Sequence, residues 1–132
     1  MLSMGQSADA RLIYGFDGGD LENNHYPLDW MRKMAEAVIL SDGEADIVEH
    51  IRAQVSSAFF GAVDVITYGW ESTSFAVGVS LAWAIDYGNE AIPLEAVTAA
   101  AQRHRPAVVT VAQLLGAPVD FEPSLLILAS YH

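Results

Sequence analysis

The sequence predicts an α+β fold: a four-stranded, mostly antiparallel sheet with helices on one face, in the order β-α-α-β-β-α-α-β. Three observations predict it. Residues Phe75 to Trp83 alternate large and small with a strict period of two, the signature of a strand. Apolar residues recur at three- and four-residue steps in two segments between positions 28 and 59, and an alanine-rich segment follows from Leu94. A chain of 132 residues has the size of one domain, and 1–132 is read as such, with 1–8 as a flexible N-terminal segment.

Arg11 to Phe16 is short, aromatic and β-branched, and it runs into Asp17-Gly18-Gly19-Asp20, a turn signal; it is strand one. Pro27 suits a first helical turn, and Leu28, Met31, Ala35, Val38 and Ile39 then share one face, giving a helix that ends near Leu40. Ser41 and Glu44 have the spacing of a capping box, so a second helix is expected to start there. Its stripe is Ile47, Ile51, Val55 and Phe59, and Gly61 closes it.

Val63 to Tyr68 alternates and is rich in β-branched and aromatic residues, which makes strand two. Gly69 to Ser74 turns the chain into strand three, with Phe75, Val77, Val79, Leu81 and Trp83 on one face and Ala76, Gly78, Ser80 and Ala82 on the other. That small face can receive another layer closely or sit under neighbouring strands. Leu94 to Arg103 is a helix, and Pro106 predicts a second piece from Pro106 to Leu115, ended by Gly116. Ser124 to Tyr131 contains Leu-Leu-Ile-Leu and reads as a last, largely buried strand. If each helical pair counts as one crossover, the order is the split βαβ plan of ferredoxin-like folds, with strands one and four adjacent or nearby.

Two segments carry a family resemblance, Ala8-Asp9-Ala10-Arg11-Leu12-Ile13-Tyr14-Gly15-Phe16-Asp17 and Leu125-Leu126-Ile127-Leu128-Ala129-Ser130-Tyr131, with Val65 to Tyr68 and Phe75 to Val79 between them. The chain resembles a group of small uncharacterised proteins of actinobacteria and their bacteriophages. It departs from that group in having no cysteine near its hairpin or C-terminus and in ending on His132. The resemblance implies a phage-derived accessory protein and carries over no activity and no site residue.

Seventeen acids against six bases give a net charge of −11, and residues 1 to 50 hold ten of the acids against three bases. A field of that sign repels nucleic-acid phosphates and anionic lipid, so neither direct nucleic-acid binding nor membrane docking is expected. It has two readings, as solvation of an apolar-rich chain and as an address for a basic protein partner. Charged residues make up 17% and hydrophobic ones 52%, a ratio that points to an oligomer interface, in the simplest case a homodimer. The absence of cysteine excludes disulfides and thiolate chemistry and fits a reducing compartment. Met1 to Ala10 has neither a basic start nor an apolar core, and no apolar run approaches the roughly 20 residues of a membrane span. The expected location is cytoplasmic, in the host cytoplasm if phage-encoded.

No cofactor or metal motif is found. Asp17-Gly18-Gly19-Asp20 with Glu22 lacks the alternating ligands of a calcium loop, and His25, His50, His104 and His132 have no zinc-ligand spacing. Arg103-His104-Arg105 reads as cations at a helix C-terminus, or as a small phosphate contact. There is no dinucleotide fingerprint, P-loop or nucleophile elbow, so catalytic and cofactor-binding residues are assigned nowhere. The reading that leads is a non-enzymatic accessory protein that binds and modulates a host or viral protein. Its contact residues are Asp42, Glu44, Asp46 and Glu49, which can mimic nucleic-acid charge, or Trp70 at the hairpin tip. Two alternatives stand beside it: a homo-oligomeric structural component packed through the small sheet face, and a small enzyme or ligand binder in which His50, Asp17 or Tyr68 converge on that sheet.

Overall fold

A computed structural model describes residues 8–42, 46–57, 62–70, 73–84 and 91–131. The elements are β1 (Ala8–Asp20), α1 (Asp29–Asp42), α2 (Ile47–Ser57), β2 (Asp64–Trp70), β3 (Ser74–Ala84), α3 (Leu94–Leu114) and β4 (Ser124–Tyr131). The class is α+β with a four-stranded mixed sheet, as the periodicities predict. β1 pairs antiparallel with both β3 and β4, and β2 pairs antiparallel with β3. A two-residue parallel contact of Gly69 and Trp70 with Ser130 and Tyr131 then joins β2 to β4 and closes the sheet into a barrel.

β1 and β3 approach closely at one point. Gly15 faces Gly78 there, and a Cβ on Gly15 would lie 2.0 Å from the Val77 carbonyl oxygen, while one on Gly78 would lie 2.4 Å from that of Tyr14. Only glycine fits two backbones this close.

The two faces of the sheet have separate cores. On one, Tyr14, Phe16, Val65, Phe75, Val77 and Val79 pack against Met31 and Ala35 of α1, Ile47, Ile51 and Val55 of α2, and Ala101, Val108 and Val111 of α3. On the other, each strand contributes one residue to a small cluster of Ile13, Ile66, Ala76 and Leu128, with Tyr68 and Leu126 at its margin. The small face of β3 is therefore the inside of the curled sheet. Ala76 and Gly78 are buried there under the other strands, while Ser80 of the same face is exposed.

Several boundaries differ from the sequence reading, each for a local reason. β1 begins at Ala8 and continues through Asp17-Gly18-Gly19-Asp20, the expected turn, because a bulge between Asp17 and Gly19 absorbs the glycines without ending the pairing. Gly19 takes φ +125°, and the Phe75 ring occupies the space where a Gly18 side chain would lie. α1 runs on through Ser41 and Asp42, and α2 starts later than expected. Its first-turn donor is satisfied by Asp46, whose Oδ1 accepts from the Glu49 N–H at 3.3 Å, so Asp46 replaces Ser41 as the cap. Phe59 and Gly61 lie outside the described residues.

The two helices expected around Pro106 are one, α3, with the proline inside it. Pro106 is exposed, as is Gln102 one turn before it, whose carbonyl loses its N–H partner to the proline. Thr110 donates its hydroxyl to the Pro106 carbonyl at 2.8 Å. The helix ends at Leu114, and the N–H groups of Gly116 and Ala117 bond the Gln113 and Ala112 carbonyls, a Schellman arrangement. The element order is thus β-α-α-β-β-α-β.

Candidate functional site

The entry to β4 is held at two consecutive residues. Phe121 stacks edge-on against Phe16 of β1 and Trp30 of α1, with ring centroids 5.7 and 5.2 Å apart. Glu122 accepts two hydrogen bonds from Arg105 of α3, one of 3.0 Å through Nε. This pair lowers the Glu122 carboxyl below its usual range and raises the guanidinium. Arg103-His104-Arg105 thus sits in mid-helix, away from a terminus, and Arg105 serves to fix where β4 begins.

From there β4 runs antiparallel to β1, Tyr14 opposite Leu125 and Leu12 opposite Ile127. Opposed residues share a face. Leu128 and Ser130 point to the barrel interior and are buried, whereas Leu125, Ile127 and Ala129 lie on the helix-bearing side. α3 lies over β1 and β3 and leaves β4 uncovered, so Ile127 is 75% exposed and Leu125 42%. The expectation of a largely buried last strand is corrected on this face. A run such as Leu-Leu-Ile-Leu has no alternation to read, and its hydrophobicity alone suggested burial on both sides.

The outer backbone edge of β4 is paired over only part of its length. β2 touches it only at Ser130 and Tyr131, so among the described residues no strand pairs with that edge from Ser124 to Ala129. Alternate N–H and C=O groups of an edge strand point away from its neighbour and offer a template for another chain. Proteins blunt such edges with charges, proline or bulges. Ser124 to Tyr131 contains no charge and no proline, and its pairing with β1 is unbroken.

A polar pair lies on the inner side of the sheet. Tyr68 donates its hydroxyl to Oδ1 of Asp17 at 2.8 Å, and Asp17 also accepts from the Gly19 N–H at 3.2 Å. Burial, then the Asp17 carboxylate, push the Tyr68 phenol above the tyrosine range. Asp17 and Tyr68 do converge, but His50 stands on α2, whose stripe packs on the opposite face, so the expected trio is not assembled. A separate cavity of about 290 Å³ lies between Asn24 and Tyr26 and the α1 residues Arg32, Ala35, Glu36 and Ile39. Among the described residues no group of three or more His, Asp or Glu is placed to hold a metal ion, and no helix is long and apolar enough to cross a membrane.

Of the residues expected to contact a partner, Asp42, Asp46 and Glu49 lie at the end of α1 and the start of α2, and Trp70 at the end of β2. Asp46 caps α2 and Glu49 bonds Arg52 at 2.6 Å, so both carboxylates serve their own helix although both are exposed. Asp42 is the last residue of α1, and Glu44 lies outside the described residues. Trp70 ends β2 just beyond the last β2–β3 pair, Tyr68 with Ser74, and lies opposite Tyr131 in the parallel contact; Glu71 and Ser72 fall outside the described residues. No protein-family model, curated protein or solved structure matches the chain.

Proposed function

We propose that this chain works as a protein-binding module whose contact is the open edge and apolar outer face of β4. One observation carries the reading: Leu125 and Ile127 are exposed on a strand that has no charge and whose outer edge, among the described residues, is unpaired over Ser124 to Ala129. Such an edge gains both main-chain hydrogen bonds and apolar burial when another strand is added to it. The acids that give the net charge of −11 all lie outside Ser124 to Tyr131, so a strand added to β4 meets no charged side chain on it. In the accessory role that the phage-like resemblance implies, the module modulates a host or viral protein by occupying one of its strands.

A photoreactive benzoylphenylalanine placed at Ile127 tests the reading, with the same residue at Leu40 as the control. Leu40 is 87% exposed but lies on α1. The expected result is a polypeptide adduct from position 127, in purified protein or cell extract, and only background from position 40. Equal yields from the two positions would overturn it.

A further inference from the structure

The geometry points to a second copy of this chain as the occupant of β4, in an antiparallel pair about a two-fold axis; this rests on the protein-binding reading above. Of three observations, self-complementarity in register selects the copy, and charge and preorganisation leave the strand available to it.

The first is charge. Two chains of −11 repel over most of their surfaces, and β4 is a stretch of eight residues, Ser124 to Tyr131, where they meet without opposing like charges. A basic partner is drawn to the acids elsewhere and finds no counter-charge on this strand.

The second is register. A two-fold axis normal to the sheet keeps the helix-bearing faces of both copies on one side, and only registers in which the paired residue numbers sum to an even value do this. The axis cannot lie too near the C-terminal end, because Ser130 and Tyr131 are already engaged by β2 on that edge. Centring it on Leu126 satisfies both conditions. Leu125 of each copy then lies opposite Ile127 of the other, so the two exposed apolar residues of the strand cover each other twice, and Ser124 lies opposite Leu128. Pro123, which has no N–H to offer, falls at the end of the ladder opposite Ala129, where a missing donor matters least.

The third is preorganisation. β4 is held against β1 along its whole length, and Phe121 and the Arg105–Glu122 pair fix its entry, so the strand is presented without an ordering step. A ladder of this length forms an interface at the small end of specific contacts, so a dissociation constant of roughly micromolar order is expected.

Sedimentation velocity of the purified full chain, from about 1 to 500 μM, reads the association directly. The expected result is a monomer–dimer equilibrium, with Ile127→Lys raising the dissociation constant at least roughly tenfold while the far-ultraviolet circular dichroism of the monomer is unchanged. Because the chain has no cysteine, introduced thiols report the register unambiguously. An oxidised mixture of Leu125→Cys and Ile127→Cys chains is expected to give more covalent dimer than either variant alone. A monomer at every concentration, or a dimer indifferent to Ile127→Lys, overturns the inference. If the purified chain is monomeric while benzoylphenylalanine at 127 captures a different protein in extract, the self-pairing fails and the protein-binding reading survives; no adduct in either setting removes both.

Discussion

The phenol of Tyr68 on β2 reaches Asp17 on β1 across the intervening β3, 51 residues away in sequence. The residue between them is Ala76, opposite Asp17 in one ladder and Ile66 in the other, and its single methyl leaves room for the bond to pass over it. One side-chain hydrogen bond thus spans three strands on the inner face, where the curled sheet has no helix to cover it. Tyr68→Phe keeps the ring and removes the donor to a part-buried carboxylate. A loss of about 1–2 kcal/mol in urea denaturation is expected. Ala76→Leu, which fills the gap, is expected to cost at least as much.

The same pair sets an alkaline limit. The Tyr68 pKa in the folded chain is raised above the unfolded value of about 10, by burial first and by the Asp17 carboxylate second. A raised pKa means that the contribution is complete below pH 10 and is lost as the pH climbs above it, because the unfolded chain then releases the proton more readily. Tyr14 and Tyr26 shift in the same direction, mainly through burial. Absorbance near 295 nm should show tyrosinate formation delayed in the folded protein relative to a urea-unfolded sample. Tyr68→Phe should remove the latest-titrating component and flatten the loss of stability above pH 10.

At the Gly15–Gly78 crossing, alanine meets backbone, which cannot rotate away as a side chain can. Gly15→Ala and Gly78→Ala are each expected to destabilise by about 3 kcal/mol or more, at the upper end of overpacking effects. The thermal midpoint of each variant checks this. A change within error at both positions would show that the strands separate at little cost.

Pro106 interrupts one backbone hydrogen bond in an otherwise continuous α3. Since the residue is exposed, Pro106→Ala should restore the bond and stabilise the fold, by about 1–3 kcal/mol on helix-propensity grounds. Chemical denaturation reads the gain. A loss instead would mean that the packing of Val108 and Val111 depends on the proline.

What periodicity could specify here, it did. The stripes Met31–Ala35–Val38 and Ile47–Ile51–Val55 are buried on their helices, and the large residues Phe75, Val77 and Val79 face the helical layer. Those features follow from local geometry, because a period of 3.6 or 2 states which residues share a face. The sequence by itself therefore determined the class, most of the elements and the larger core. Tertiary structure decided the rest, where the outcome depends on what lies across from a residue. The Asp17–Asp20 segment remains a strand because β3 supplies partners through a bulge, and Ala76 on the small face of β3 is interior because β2 meets β4. The surface proposed for function belongs to this second kind. Leu-Leu-Ile-Leu is equally apolar on both faces, and only the position of α3, over β1 and β3 and off β4, leaves Leu125 and Ile127 in water.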